Sequence, residues 1–308
     1  MNGFRFPAHI LKQQVGGATT HSNFGGSMKF RKSIALGAAA VTAASLGAAA
    51  VVGGTAAGAS SRAGIPTVVV RMVNDHIKID GGSTLHAGRI NFKVVTGAGS
   101  HILQILRLHK GYTLQDAGPD FGKAFSGDLA AIHRLDTKVT WRGGATARPN
   151  NPGFFTVTLR HGNFYMLDQN GNGVTPFRVV GDPVQRPRVP HSSQITAFSY
   201  GFESDPETIP AAGTLYFFNQ SDQPHFLDIH HVKEGTTRRD VTQALHSNGP
   251  PAIFLHGGTG AGVISPYFGQ MMRYDLPPGE YLIACFWPAS DTGMPHAFMG
   301  MFKLIHLK

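Results

Sequence analysis

A 17-residue stretch of the chain recurs, without a gap, in its second half. SHILQILRLHKGYTLQD, Ser100 to Asp116, lays onto PHFLDIHHVKEGTTRRD, Pro224 to Asp240. His101 then falls on His225, Gly111 on Gly235, Thr113 on Thr237 and Asp116 on Asp240. Further along, LRHGNFYMLD (Leu159 to Asp168) matches LPPGEYLIAC (Leu276 to Cys285), with Gly162 on Gly279. Such a chain is two copies of one unit, and whatever pattern the first copy folds into must also suit the second. VVGDPVQRPRVPHSS, rich in proline around residues 180 to 192, reads as the linker between them.

The unit is β structure. Alternating or β-branched runs stand between Gly, Pro and Asn clusters: TVVVRMV from Thr67, RINFKVV from Arg89, FFTVTL from Phe154, TLYFFN from Thr214 and EYLIACF from Glu280. That spacing predicts sandwiches or barrels rather than parallel α/β units. The best helical signal is TTRRDVTQALH, where Thr237 and Asp240 have capping-box spacing and Val241, Ala244 and Leu245 share one face. The expected architecture is all-β, with two β-sandwich domains in tandem, residues 64–185 and 190–308, each with a short helical insertion.

Residues 1–59 are read as an N-terminal extension and a signal peptide. Met28 is followed by Lys29, Arg31 and Lys32, then by the apolar run SIALGAAAVTAASLGAAAVVGG, then by Ala57-Gly58-Ala59. This order of charge, apolar core and small residues predicts translation from Met28, export, and cleavage after Ala59. A membrane anchor is the rival, but the run is built of Ala and Gly rather than Leu. The mature chain is then expected to be secreted or extracytoplasmic, with no membrane association. Of the 27 Lys and Arg, five precede Ser60 while none of the 18 Asp and Glu do, which leaves 22 against 18, a net of +4. That scattered balance argues against nucleic acid as a partner.

Against this background the single cysteine stands out, because no intrachain disulfide is possible. Cys285 lies in ACFWPASDTGMPHAFMGM; ten residues separate it from His296, and four separate His296 from Met301. Thiolate and imidazole are soft to borderline donors, and two His, one Cys and a weak axial Met make a blue copper electron-transfer site. One loop can carry three of those groups. The fourth is offered by His225, at a strand entrance just after Pro224 in FFNQSDQPHFLDI. A lone Cys in a strand is more often a small core residue, and a Met more often packing; the joint spacing is what favours metal. The first copy has Asp168 in place of Cys285 and no counterpart to His296 or Met301.

These residues resemble the cupredoxin family. NQSDQPHFLDI is similar to the family's first ligand segment, and GEYLIACFWPASDTGMPHAFMGMFKL to its Cys, His, Met loop, with HAFMGM keeping the plastocyanin-like His-x4-Met spacing. The interval from Cys285 to His296 is nearer that of two-domain nitrite reductases than that of the small carriers. Both copies, over about residues 64 to 308, resemble secreted two-domain cupredoxin-like proteins of bacteria. The resemblance implies Greek-key sandwiches and one mononuclear type 1 copper, held by His225, Cys285, His296 and Met301, with Met299 the weaker candidate for the axial place. It also implies single-electron transfer, with a redox protein or a copper donor or acceptor as partner. In the family the loop histidine reaches the surface in an apolar patch, which here implies Met294, Pro295 and Phe298 exposed around His296.

The alternative is a binding or structural module that is copper-free or delivers copper. A multicopper enzyme is disfavoured: oxidases need His-x-His pairs, which the chain lacks, and nitrite reductases place a His before the ligand Cys, where this chain has Ala284. Weaker signals carry less. HGGTGAG, His256 to Gly262, lacks the Lys-Ser/Thr of a nucleotide loop and reads as a turn. His230 and His231 face opposite sides of a strand. Asn219 opens a formal NQS sequon, and GAGSH lacks the elbow of a hydrolase.

Overall fold

Strands form where the β-branched and aromatic runs lie, and their burial follows the period of two that such runs impose. The computed structural model describes residues 64–73, 76–170, 173–247 and 252–308, so the segment read as a signal peptide lies outside the described residues. In the first half the strands are β1 (Thr67–Val73), β2 (His76–Ile79), β3 (Thr84–Thr96), β4 (His101–Leu108), β5 (Val139–Ala147), β6 (Gly153–Leu159), β7 (Gly162–Asp168) and β8 (Val174–Val184). In the second they are β9 (Ser193–Phe198), β10 (Gly201–Asp205), β11 (Thr208–Ile209), β12 (Ala212–Asn219), β13 (His225–Val232), β14 (Phe254–Ile264), β15 (Gly269–Asp275), β16 (Gly279–Ala284) and β17 (Phe302–Leu307). β8 continues to Val184, so strand enters the stretch read as linker.

The pairing pattern repeats. β1 pairs antiparallel with β2 and parallel with β3, as β9 does with β10 and β12. β3 pairs with β6 and β8, and in the second half β12 and β11 divide that work between β15 and β17. β4 lies between β5 and β7, as β13 lies between β14 and β16. The early residues of β3 pair with β8 and the later ones with β1 and β6, so this strand passes from one sheet to the other. Phe92 and Phe155 from one sheet meet Leu103, Ile105 and Met166 from the other in one buried cluster, which is the interior of a sandwich.

The helical insertions sit at equivalent places. α1 (Leu114–Ala124) and α2 (Leu129–Lys138) lie between β4 and β5, and α3 (Arg238–Leu245) between β13 and β14. The expected capping box forms at Thr237 and Asp240, and the structure adds a second at Thr113 and Asp116: the amides of Asp240 and Asp116 donate to Thr237 and Thr113, whose own amides donate back to the carboxylates. Val241, Ala244 and Leu245 are buried, as their spacing predicts.

The two halves join through corresponding edge strands. β5 pairs with β14, and β6 with β15, both antiparallel. HGGTGAG is therefore strand rather than turn, and crowding accounts for three of its glycines, Gly258, Gly260 and Gly262. A Cβ on Gly144 would lie 1.7 Å from the Leu103 carbonyl oxygen, and one on Gly262 2.6 Å from the Gly144 amide nitrogen. Where the side chains are missing, two buried glutamines complete the seam. Gln104 accepts from the Val263 amide at 2.7 Å and donates to its carbonyl at 3.0 Å; Gln270 does the same for Gly144, at 2.7 and 3.0 Å. Buried main-chain groups are thus satisfied where the strands diverge from ladder geometry.

Candidate metal centre

His225 is the first residue of β13, and Cys285 follows directly on β16, the strand that pairs with β13. Strand pairing therefore brings the two side chains to the same end of the sandwich. The remaining donor comes from the loop after Cys285, which is folded back by its own main chain. The His296 amide donates to the Trp287 carbonyl at 2.9 Å, and the Ala297 amide to the Cys285 carbonyl at 2.7 Å. A short 3-10 turn, His296–Met299, ends at Gly300, whose φ of 99° lies in the left-handed region that glycine adopts freely. The chain then reverses, the Met301 amide donates to the His296 carbonyl at 3.0 Å, and the Cys285 amide donates to the Met301 carbonyl at 3.3 Å. Met301 is fully buried in the same apolar cluster as Cys285.

The structure thus brings His225, Cys285 and His296 together, all fully buried. His225 Nδ1 lies 3.1 Å from His296 Nδ1, and Cys285 Sγ lies 3.6 and 3.7 Å from these two nitrogens. A point equidistant from the three atoms is about 2.0 Å from each, close to the 2.0–2.3 Å of metal bonds to imidazole nitrogen and thiolate sulfur. Burial holds His225 well below the usual histidine range, the neighbouring His296 adding to the effect, and brings His296 down to about 4. Both imidazoles are therefore neutral, the ligating form. Burial pushes the Cys285 thiol up to about 12, while the main-chain amides of Phe226 and Trp287, aimed at its sulfur, work in the opposite direction. A thiolate here needs a cation beside it. The donor set fits a soft or borderline metal ion.

Around this triangle lie groups that spacing does not reveal. His296 Nε2 is 3.1 Å from Gln223 Oε1, which fixes the ring with Nδ1 turned inward, and Gln223 Nε2 donates to the Tyr200 hydroxyl at 3.3 Å. Tyr200 packs edge-on against His296, with ring centroids 5.2 Å apart. Asn219 is fully buried; its amide donates to the carbonyls of Gln223 and Ile264, and its Oδ1 accepts from Ser221. It is a brace for the ligand loop and not an accessible sequon. Gln223 directly precedes the Pro224-His225 pair, but nothing in a loop glutamine announces a partner 73 positions away. Tyr200 carries no sequence signal at all.

The apolar residues of the loop divide differently from the family expectation. Pro295 and His296 are buried and Phe298 is half-buried, its ring edge-on to His246 beyond α3. His296 does not reach the surface, because Gln223 and Tyr200 cover its outer edge. Trp287 turns the other way, into the first half. It is fully buried against Trp141 and Phe125, and its indole N–H donates to Asp136 Oδ1 at 3.2 Å.

In the first half, His101 and Asp168 occupy the places of His225 and Cys285. His101 Nδ1 lies 2.6 Å from Asp168 Oδ2, so an imidazole and a carboxylate bond each other where the second half opposes an imidazole and a thiol. Only residues 169–173 separate β7 from β8, against residues 285–301 between β16 and β17, the interval that carries His296 and Met301. His230 and His231 part company as expected: His230 contacts Asp228 at 3.0 Å, and His231 stacks on Tyr281.

Neither a protein-family model nor a curated protein matches the chain. Among solved structures it is similar to auracyanin from Roseiflexus castenholzii, at 21% identity over 37% of this chain and 94% of that one, with a TM-score of 0.25. Another is auracyanin A, a "blue" copper protein from Chloroflexus aurantiacus, at 13% identity over 37% and 99% of the two chains, with a TM-score of 0.28. The Cu-containing nitrite reductase of Thermus scotoductus SA-01 matches at 11% identity over 80% and 62%, with a TM-score of 0.23. Likenesses this distant decide neither fold nor function, which rest here on the repeated strand pairing and on the His, Cys, His triangle.

Proposed function

We propose that the chain is an exported copper protein that passes single electrons through one mononuclear site, which His225, Cys285 and His296 would hold with Met301 as a further, weak donor. The observation that carries this reading is the triangle itself, with two imidazole nitrogens and one sulfur placed around a common point at bonding distance. Among first-row divalent ions such N2S sites favour copper, and soft thiolate and thioether donors suit its reduced form. When bound, copper supplies a one-electron couple. The chain supplies a rigid, buried cage that changes little between the two states: paired strands hold His225 and Cys285, Gln223 orients His296, and the amides of Phe226 and Trp287 temper the sulfur. Electrons enter or leave across the cover made by Gln223 and Tyr200.

Export is read from residues 28–59. Among the described residues, no helix is long and apolar enough to cross a membrane. An electron carrier is preferred over an oxidase or nitrite reductase because the chain lacks His-x-His pairs and has Ala284 before Cys285. Full burial of the donors also suits retention of the metal better than its delivery to a partner.

The test is copper titration of the purified protein. One equivalent of Cu(II) is expected to give intense visible absorption from thiolate-to-copper charge transfer, and Cys285→Ser to abolish it. A colourless copper complex, or two equivalents bound with equal affinity, would contradict the proposal.

A further inference from the structure

A cleft of about 810 Å³ opens where the far ends of β4, β5 and β6 meet the turn from β14 into β15. Arg107, Lys110, Arg142 and Arg160 line it, and no Asp or Glu does. In a mature chain with nearly as many acids as bases, four cations without a counter-charge are not the surface average. None of them belongs to an ion pair among the described residues, where the paired cations are Arg71, His101, Arg134 and His230.

Arg142 is the most constrained of the four. Its guanidinium donates to the Thr158 carbonyl and lies 3.8 Å from the ring centroid of Phe268. Burial, and then the charge of Arg160, bring its pKa down to about 10. Keeping a half-buried cation beside a second one is unfavourable unless an anion enters between them. Tyr267 stands on the rim, 68% exposed, with a φ of 62° that a non-glycine residue rarely adopts. Its amide donates to the Asn219 carbonyl at 2.9 Å, so a strained backbone is held in place at the mouth.

We propose that this cleft is a binding site for a small, multiply charged anion carrying phosphate or carboxylate groups, clamped by Arg107, Arg142 and Arg160. Guanidinium forks match the paired oxygens of both groups, which makes arginine suited to this task. The cations converge on one bounded concavity instead of forming a stripe along a face, so a compact anion fits better than a nucleic-acid backbone.

Inorganic pyrophosphate and citrate are the probes, applied to the purified protein at constant ionic strength by calorimetry and thermal melting. One equivalent of at least one probe is expected to bind and raise the melting temperature. Binding of pyrophosphate alone assigns a phosphate ligand, whereas citrate alone or both together assign carboxylate or general polyanion recognition. Arg142 packs on Phe268, so the exposed Arg107 and Arg160 are the positions to alter. Arg160→Ser should weaken binding at least tenfold, the loss of one charge-assisted contact. The same change should raise the melting temperature of the protein without ligand, since it removes the charge facing Arg142. Arg107→Ser should weaken binding to a similar degree. Failure of both anions to bind the unaltered protein, or unchanged affinity in Arg160→Ser, would overturn the proposal.

Discussion

Replacing Asp136 with Asn separates the support of the ligand loop from its charge. Asp136 lies on α2, and its Oδ1 accepts the indole N–H of Trp287, the residue that anchors the Cys285 loop to the first half. Burial raises its carboxyl from the ordinary 3.8 to about 6, while the Trp287 bond and nearby His133 pull the other way. A carboxyl whose folded pKa lies above its unfolded one binds its proton more tightly in the native state. Its contribution is therefore full below about pH 3.8, declines as pH rises towards 6, and stays lost above that. At about 1.4 kcal/mol per pH unit, the ionised group would cost about 3 kcal/mol at neutral pH if fully dehydrated. Partial exposure screens it, which brings the figure to about 1–2 kcal/mol. Asparagine keeps an oxygen for the indole and removes the charge. Asp136→Asn should match the unaltered protein in urea melts at pH 4 and exceed it by about 1–2 kcal/mol at pH 8, or about 2–8 °C in melting temperature for a chain of this size. Equal differences at both pH values, or a less stable variant at pH 8, would refute the reasoning.

Other outcomes follow from the site and the seam. Met301→Leu should retain copper and raise the reduction potential, read by redox titration, because it would remove only a weak thioether donor. Gln223→Leu deprives His296 Nε2 of its acceptor and should lower copper affinity about 10–100-fold in a chelator competition, the usual cost of losing such an orienting group. With the thiol at about 12 and His296 at about 4, copper should displace one proton per ion, so that apparent affinity rises tenfold per pH unit between pH 5 and 8; a slope of zero would remove Cys285 from the ligand set. Gly144→Ala, whose methyl would collide with the Leu103 carbonyl, should cost at least about 3 kcal/mol in a denaturant melt, and an unchanged midpoint would count against the close approach of β5 and β4.

Much of the fold is legible in the order of the residues alone. TVVVRMV is β1 residue for residue, and Thr237 with Asp240 caps α3 as its spacing required. The ungapped match of Ser100–Asp116 to Pro224–Asp240 corresponds to β4 and β13, which lie between corresponding neighbours, β5 and β7 in one half and β14 and β16 in the other. Less legible was HGGTGAG. Glycine-rich composition ordinarily marks a turn, and only the approach of β13 to Gly258 and Gly260, and of β5 to Gly262, shows why a strand there must do without side chains. His296 likewise kept its place in the loop, yet its burial under Gln223 and Tyr200 departs from the exposed histidine that the family resemblance implied.

What the sequence by itself determined acts within one strand, one turn or one loop: the period of two, the capping box of Thr237 and Asp240, and the intervals between Cys285, His296 and Met301. Those depend on backbone geometry over a few residues, and the residue order states them directly. The tertiary structure alone decided which edges meet, so that Gln104 reaches Val263 and Gln270 reaches Gly144 across the seam. It also decided what covers His296 and where Trp287 finds Asp136. The arginines at 107, 142 and 160 are unremarkable one by one, and they converge on a single cleft only because β4, β5 and β6 end together. Contacts of this kind join residues tens of positions apart, and their energies depend on burial and on neighbouring charge, which exist only once the sheets have packed.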